Sequence, residues 1–176
     1  MTSAPTIETD RLILRPHEKG DLAAFWSFYQ SDRSKYMEAP SSRSQLWTGL
    51  LAEVGAWELF DWGGLAITTK DGQLAGQVCI SQPPHFPELE LGWIIFKEFE
   101  GASFAFEAAS AMRDYAFEIL AVDTLVSYID KDNRRSIALA ERMGAVLDQT
   151  AASYDPMDLV YRHSPDSSGP GLEAYA

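Results

Sequence analysis

The chain reads as an α/β protein, a mixed sheet of six to seven strands with helices on both faces. Three observations predict it. Short runs of alternating or β-branched apolar residues recur along the chain, and four segments with helical spacing interrupt them. The order is strand, two helices, three strands, helix, strand, helix, then one or two strands, which a mixed sheet covered on two sides accommodates.

Arg11 to Pro16 alternates cationic and apolar side chains and stops at the proline, as a half-buried strand does. Asp21 is a plausible N-cap for a helix through Gln30, where Leu22, Phe25, Trp26 and Tyr29 recur at three- and four-residue spacing. Ser31 to Ser44 is polar, contains Pro40 and reads as a loop. A second helix, Gln45 to Phe60, carries Leu46, Leu50, Val54 and Trp57 on one stripe and ends at Gly63-Gly64. Leu65 to Thr69 and Leu74 to Ser81 flank the turn Lys70-Asp71-Gly72-Gln73 as a hairpin. A proline-rich loop around His85 leads to Glu88 to Phe96, an extended run with two distinct faces. Glu88, Glu90, Gly92 and Ile94 share one, and Leu89, Leu91, Trp93 and Ile95 the other.

Gly101 to Leu120 is the third helix, with a narrow stripe of Ala105, Ala109, Met112, Ala116 and Ile119 suited to close packing on a sheet. Thr124 to Ile129 is a β-branched strand. Asn133 to Met143 is a helix stopped by Gly144, and residues 145–147 and 159–161 are short strands. From Ser164 the composition is that of a linker, so one domain is expected over 1–163 and a flexible tail over 164–176.

The chain has 176 residues and a net charge of −12, which disfavours nucleic acid and favours cationic partners, although acidity also serves solubility. No apolar stretch is long enough for a membrane helix and no leader pattern opens the sequence, so a cytoplasmic protein without membrane partners is expected. Cys79 is the single cysteine. It excludes an internal disulfide and reads as a buried structural thiol, and no spacing of metal ligands is present.

The chemistry-bearing segment is Glu90 to Phe96 followed by Glu98-Phe99-Glu100-Gly101-Ala102-Ser103-Phe104-Ala105, a strand entering a helix through a turn of small residues. The first amides of a helix lack intrahelical partners and sit at the positive end of its dipole, so such a turn binds phosphate through backbone alone. Asn133-Arg134-Arg135-Ser136 through Gly144-Ala145 forms a second segment of the same kind. Together, Glu90 to Ala105 and Asn133 to Ala145 resemble the cofactor-binding segments of the GNAT N-acetyltransferase superfamily. Thr9 to Pro16 resembles the opening of its ribosomal-protein-alanine N-acetyltransferase branch. The resemblance spans residues 7 to about 162.

It implies a mostly antiparallel sheet with a splayed central strand, and acetyl-CoA as acyl donor. The pantetheine arm would meet free backbone groups of Trp93, Ile94 and Ile95, and the pyrophosphate the amides of Gly101, Ala102, Ser103, Phe104 and Ala105. Asn133 would reach the pantetheine arm or cap its helix, and both roles are compatible. The chain departs from the family pattern at Glu100, at Ser103 and at Ala140. A carboxylate at Glu100 beside a pyrophosphate is unfavourable unless it points away, and Ser103 replaces a glycine. Ala140 stands where many relatives carry a tyrosine acid, which leaves Ser136 or water to protonate the leaving thiolate. Direct transfer to a neutral amine needs a base. Glu90 is the first candidate and Glu88 the second, the alternative for each being a solvated strand carboxylate. Tyr36, Met37, His85 and Glu88 are candidate acceptor contacts, and most tryptophans and tyrosines of the helical region are expected in the core. The expected acceptor is an amine, on a small molecule or a protein N-terminus, and a homodimer is compatible with the resemblance. The alternative reading is a catalytically inactive acyl-CoA sensor or an interaction domain of the same fold.

Overall fold

The computed structural model describes residues 4–165. Strand β1 (Ile7–Glu8) turns back on β2 (Leu12–Arg15), and α1 (Asp21–Tyr29) and α2 (Arg43–Phe60) follow. Next come β3 (Gly64–Thr69), β4 (Leu74–Ser81), β5 (Glu90–Ile95) and α3 (Phe104–Glu118). The described chain closes with β6 (Val126–Asp130), α4 (Arg134–Arg142), β7 (Val146–Leu147) and β8 (Asp158–Arg162). All eight strands form one sheet in the order β1-β2-β3-β4-β5-β6-β8-β7. Every neighbouring pair is antiparallel except β5 and β6. The fold class is therefore the expected one, with the two-residue β1 as an additional edge strand. The part of the expected tail beyond residue 165 lies outside the described residues.

Small residues explain the close approach of α3 to the sheet, but the expected stripe holds only in its middle. Ala109, Met112 and Ala116, together with Ala108 and Ala111, are fully buried against Leu12, Leu14, Leu65, Val78, Ile80 and Leu91. Ala105 instead lines the cleft described below, and Ile119, at the end of the helix, is 58% exposed. α4 lies on the same side, its Ile137 and Ala140 packed on Ile129 and Tyr161. On the opposite face Phe25 and Phe28 of α1 and Leu46 of α2 cover Ile94 and Phe96. The alternation in β5 thus divides as expected, odd positions toward α3 and even positions toward α1 and α2.

Local differences have local causes. Asp21 does not cap α1, because both its oxygens are taken by Arg15 at 2.9 Å, and Gly20 stands at the cap position. α2 begins earlier than expected because Ser42 caps it by accepting from Gln45 N. Its expected stripe is broken, with Leu46 and Trp57 buried but Val54 40% exposed. α3 starts at Phe104 rather than Gly101, since Gly101 (φ 78°) and Ser103 (φ 62°) adopt left-handed conformations that a helix cannot include. Its N-terminal turn is anchored by buried Glu107, which accepts from Thr9 Oγ1, Arg11 N and Arg11 Nε at 2.5, 2.8 and 2.7 Å.

Candidate functional site

The parallel ladder between β5 and β6 is one rung long. Val126 N donates to Leu89 O at 2.9 Å and the register pairs only Glu90 with Val126. One step further, Ser127 Oγ donates to Leu91 O at 2.6 Å, an acceptor that a continuing ladder would give to a backbone amide. The hydroxyl has a single proton, so His163 Nε2 donates to Ser127 Oγ at 2.9 Å. His163 Nδ1 is then bare, and burial lowers the ring's pKa to about 4, keeping it neutral.

Beyond this point the strands diverge. Phe96 N donates to Ala75 O of the β4 side, so backbone groups of even residues face β4 and those of Leu89, Leu91, Trp93 and Ile95 face β6. Trp93 and Ile95 therefore open onto the gap without strand partners. Ile94, expected to offer backbone groups as well, is committed to β4 opposite Gln77. Its carbonyl lies so close to Gly76 that a Cβ there would sit 2.0 Å away.

The gap continues into a cleft of about 1500 Å³. Its walls include Trp93, Ile94, Ile95, the turn 97–101, Ser103 to Phe106 and the start of α4. At the N-terminus of α3, Ser103 makes no side-chain cap; its carbonyl accepts from Glu107 N. The first-turn amides are left to bind whatever enters the cleft, at the positive end of the dipole. Six cations, Arg33, Lys35, Lys97, Arg134, Arg135 and Arg142, line the cleft against four carboxylates, in a chain of net charge −12. Arginines and lysines are thereby concentrated where an anion would bind.

Glu100 is the departure that put anion binding at issue, and the structure neutralises it. Arg33 and Arg135 both pair with its carboxylate, the latter at 2.9 Å. Ser103 Oγ accepts from Arg142 at 3.1 Å, so the residue that replaces a glycine ties the turn to α4. Ala102 is set apart from the cleft: its carbonyl accepts from Arg11 at 2.9 Å, holding the turn to the β1–β2 edge. Asn133 caps α4, accepting from Ser136 N at 3.3 Å, and lines the cleft together with Ser136. Ala140 is fully buried against Ile129 and Tyr161, facing the core and not the cleft.

Of the acceptor candidates, Tyr36 and Met37 line the cleft. Glu88 is occupied: both its oxygens pair with Arg162, at 2.7 and 2.8 Å, and Thr124 donates at 2.8 Å. That pairing holds its pKa below the usual carboxylate range, which disqualifies it as a base or a substrate contact. His85 is exposed, edge-on to Phe86 and Tyr154 and outside the cleft lining.

Glu90 is different. It is half-buried on the bare face of β5, where a Cβ at Gly92 would meet only its carboxylate at 3.9 Å. Burial pushes its pKa to about 8, against hydrogen bonds from the Tyr128 backbone and Ser81, and the Asp158 charge adds to the shift. Asp158 is itself raised to about 6 by burial and by Asp155 and Asp130, and burial raises the Tyr154 phenol. A carboxylate poised near neutrality beside a strand gap is suited to take a proton from an amine.

A family model described as the acetyltransferase (GNAT) domain matches residues 11–146. The chain belongs to the GNAT acetyltransferase family. Among solved structures, it is 42% identical to an acetyltransferase from Agrobacterium tumefaciens strain C58, over 93% of this chain and 96% of that one, with a TM-score of 0.88. The fold is shared with a putative ribosomal-protein-serine acetyltransferase from Vibrio cholerae (24% identity, TM-score 0.76, covering 94% and 100%). It is shared too with the V. cholerae spermidine N-acetyltransferase solved with CoA and spermine (22%, TM-score 0.64, covering 86% and 92%). Sequence reasoning missed the cation set. Arg33 carries no local signal, and only the fold brings it beside Arg135 and Glu100.

Proposed function

We propose that this GNAT protein is an acetyl-CoA-dependent N-acetyltransferase that moves the acetyl group directly to a primary amine. The observation that carries the reading is the one-rung β5–β6 ladder, whose gap opens into a cation-lined cleft ending at the free amides of α3. Acetyl-CoA supplies the thioester. The amides of Ala105 and Phe106, with Arg142 and Arg134 nearby, bind its phosphates; the backbone of Trp93 and Ile95 orients the pantetheine arm, and Asn133 flanks it.

Glu90 accepts the proton of the attacking amine. As the nitrogen–carbon bond forms, the carbon–sulfur bond breaks, and the Ser136 hydroxyl or a water in the cleft returns a proton to sulfur. The products are an N-acetyl amine and the free thiol. Neither step calls for a covalent enzyme intermediate. Glu100, already paired with Arg33 and Arg135, does not repel the donor.

The test is thiol release from acetyl-CoA in the presence of a panel of primary amines, including short peptides with free N-termini. Release with at least one acceptor is expected. Saturable CoA binding with no turnover across the panel would instead establish the sensor reading.

A further inference from the structure

The outer side of α2 carries an apolar seam where a surface helix is normally polar. From Ser44 to Trp57 the only charged residue is Glu53, which turns toward the sheet to accept from Gln77, in a chain of which 23% is charged. At about 100° per residue, Arg43, Trp47, Leu50, Leu51, Val54 and Glu58 fall within one sector of about 100°. Trp47, Leu51 and Val54 are 54%, 47% and 40% exposed, and Arg43 and Glu58 at the two ends are exposed as well. A contiguous patch of this kind marks a contact surface. None of the six residues lines the cleft.

The charges at the two ends identify what the seam meets. Arg43 is the first residue of α2 and Glu58 lies in its last turn; the first turn carries no acid and the last no base. Each charge therefore stands at the wrong end of its own helix dipole. Arg43 lies over the Trp26 ring, 5.6 Å from its centroid, and neither it nor Glu58 has an ion-pair partner among the described residues. The two are about 22 Å apart along the helix axis.

An antiparallel copy of the same helix satisfies both. A two-fold axis between residues 50 and 51 sets Arg43 beside Glu58 of the partner subunit, and each charge then stands at the end of the neighbouring helix whose dipole it suits. The same axis packs Trp47 on Val54 of the partner subunit and Leu50 on Leu51 of the partner subunit, so the seam is complementary to itself. Two copies that each carry a net charge of −12 repel over most of their surface, and along this seam they meet with no carboxylate opposing another.

We propose that the chain forms a homodimer through α2, its outer seam packed antiparallel on that of a second copy. A single helix pair is smaller than a standard interface, so the dimer is reversible, with a Kd on the order of micromolar. The pairing is independent of the acetyl-transfer reading.

The experiment is sedimentation velocity of the full chain from about 1 to 300 µM, with thermal unfolding read in parallel. The wild type should pass reversibly from monomer to dimer. Leu51→Glu places two carboxylates face to face near the axis and should raise the Kd at least tenfold. Arg43→Glu and Glu58→Arg should each raise it severalfold, while the monomer holds or gains thermal stability because each new charge suits the dipole of its own helix. The double variant carrying both changes restores opposite charges across the contact and should return the Kd to within about twofold of the wild type. A monomer at every concentration, the outcome if the seam serves a different protein or the chain's own C-terminus, would overturn the proposal. So would a dimer insensitive to Leu51→Glu, or a double charge swap that dissociates as readily as its single variants.

Discussion

Glu90→Gln tests the proposed role of Glu90 as base and its thermodynamic cost in one variant. The carboxyl has a folded-state pKa of about 8 against an ordinary 4.5, principally through burial. Between those two values the folded protein retains a proton that the unfolded chain has released. Stability from this group is thus fully present below about pH 4.5 and falls as pH rises to about 8, by about 1.4 kcal/mol per unit. At pH 7 the accumulated penalty is about 3 kcal/mol, and glutamine removes it. The groups facing Glu90 are Ser81 and Cys79 of β4, Tyr128 of β6, and Tyr154 and Asp158 before and on β8. Asp158, with a pKa of about 6, adds its own slope in the lower half of the window. The variant should therefore be more stable at pH 7 and lose much of the decline in stability between pH 5 and 8. Its kcat should fall by about 10²–10⁴, the usual weight of a general base. Wild-type kcat/KM should rise with pH through a midpoint near 8, and the variant should lack that rise. The assays are thermal unfolding across pH and thiol release with a primary-amine acceptor. A variant within twofold of wild-type kcat, with the pH rise intact, would refute the assignment of Glu90 as base.

Three further substitutions probe the cleft. Glu100→Gln frees Arg33 and Arg135 from their shared carboxylate, and acetyl-CoA affinity should rise severalfold by calorimetry, with a steeper salt dependence. Ser127→Ala leaves Leu91 O and His163 Nε2 without their buried partner, so unfolding free energy should drop by about 1–3 kcal/mol. The same change lets β6 close on β5, and KM for acetyl-CoA should rise more than kcat falls. Gly76→Ala places a Cβ 2.0 Å from Ile94 O, and denaturant unfolding should show a loss of several kcal/mol because backbone, not a movable side chain, is in the way.

What was legible in the sequence follows how local each signal is. Alternation in Glu88 to Phe96 assigned Glu90 and Gly92 to one face and Leu91 and Trp93 to the other, because the side-chain period of a strand is fixed by its backbone. The small residues before α3 disclosed a tight approach to a helix N-terminus, although Gly101 and Ser103 proved to be turn residues with positive φ. Partners distant in sequence were not legible. Glu88 resembled Glu90 until Arg162, 74 residues away, occupied it. Glu100 looked repulsive until Arg33, from the loop between α1 and α2, neutralised it. Asp21 had the composition of a cap and serves instead as the partner of Arg15. α2 misled by its own pattern, since Trp47, Leu51 and Val54 are exposed. Periodicity cannot say which apolar stripe the sheet will cover.

Calorimetric titration of the wild type and Ala105→Glu with acetyl-CoA tests whether the cleft at the β5–β6 gap binds the donor through the N-terminus of α3, as proposed. Ala105 lies in the first turn of α3 and lines the cleft. A glutamate there suits the helix dipole, so the fold should survive, while its charge lies in the path of the pyrophosphate. The wild type should bind saturably, and the variant, with unchanged thermal stability, at least tenfold more weakly. No binding by the wild type up to millimolar acetyl-CoA, or equal binding by the two proteins, would contradict that proposal.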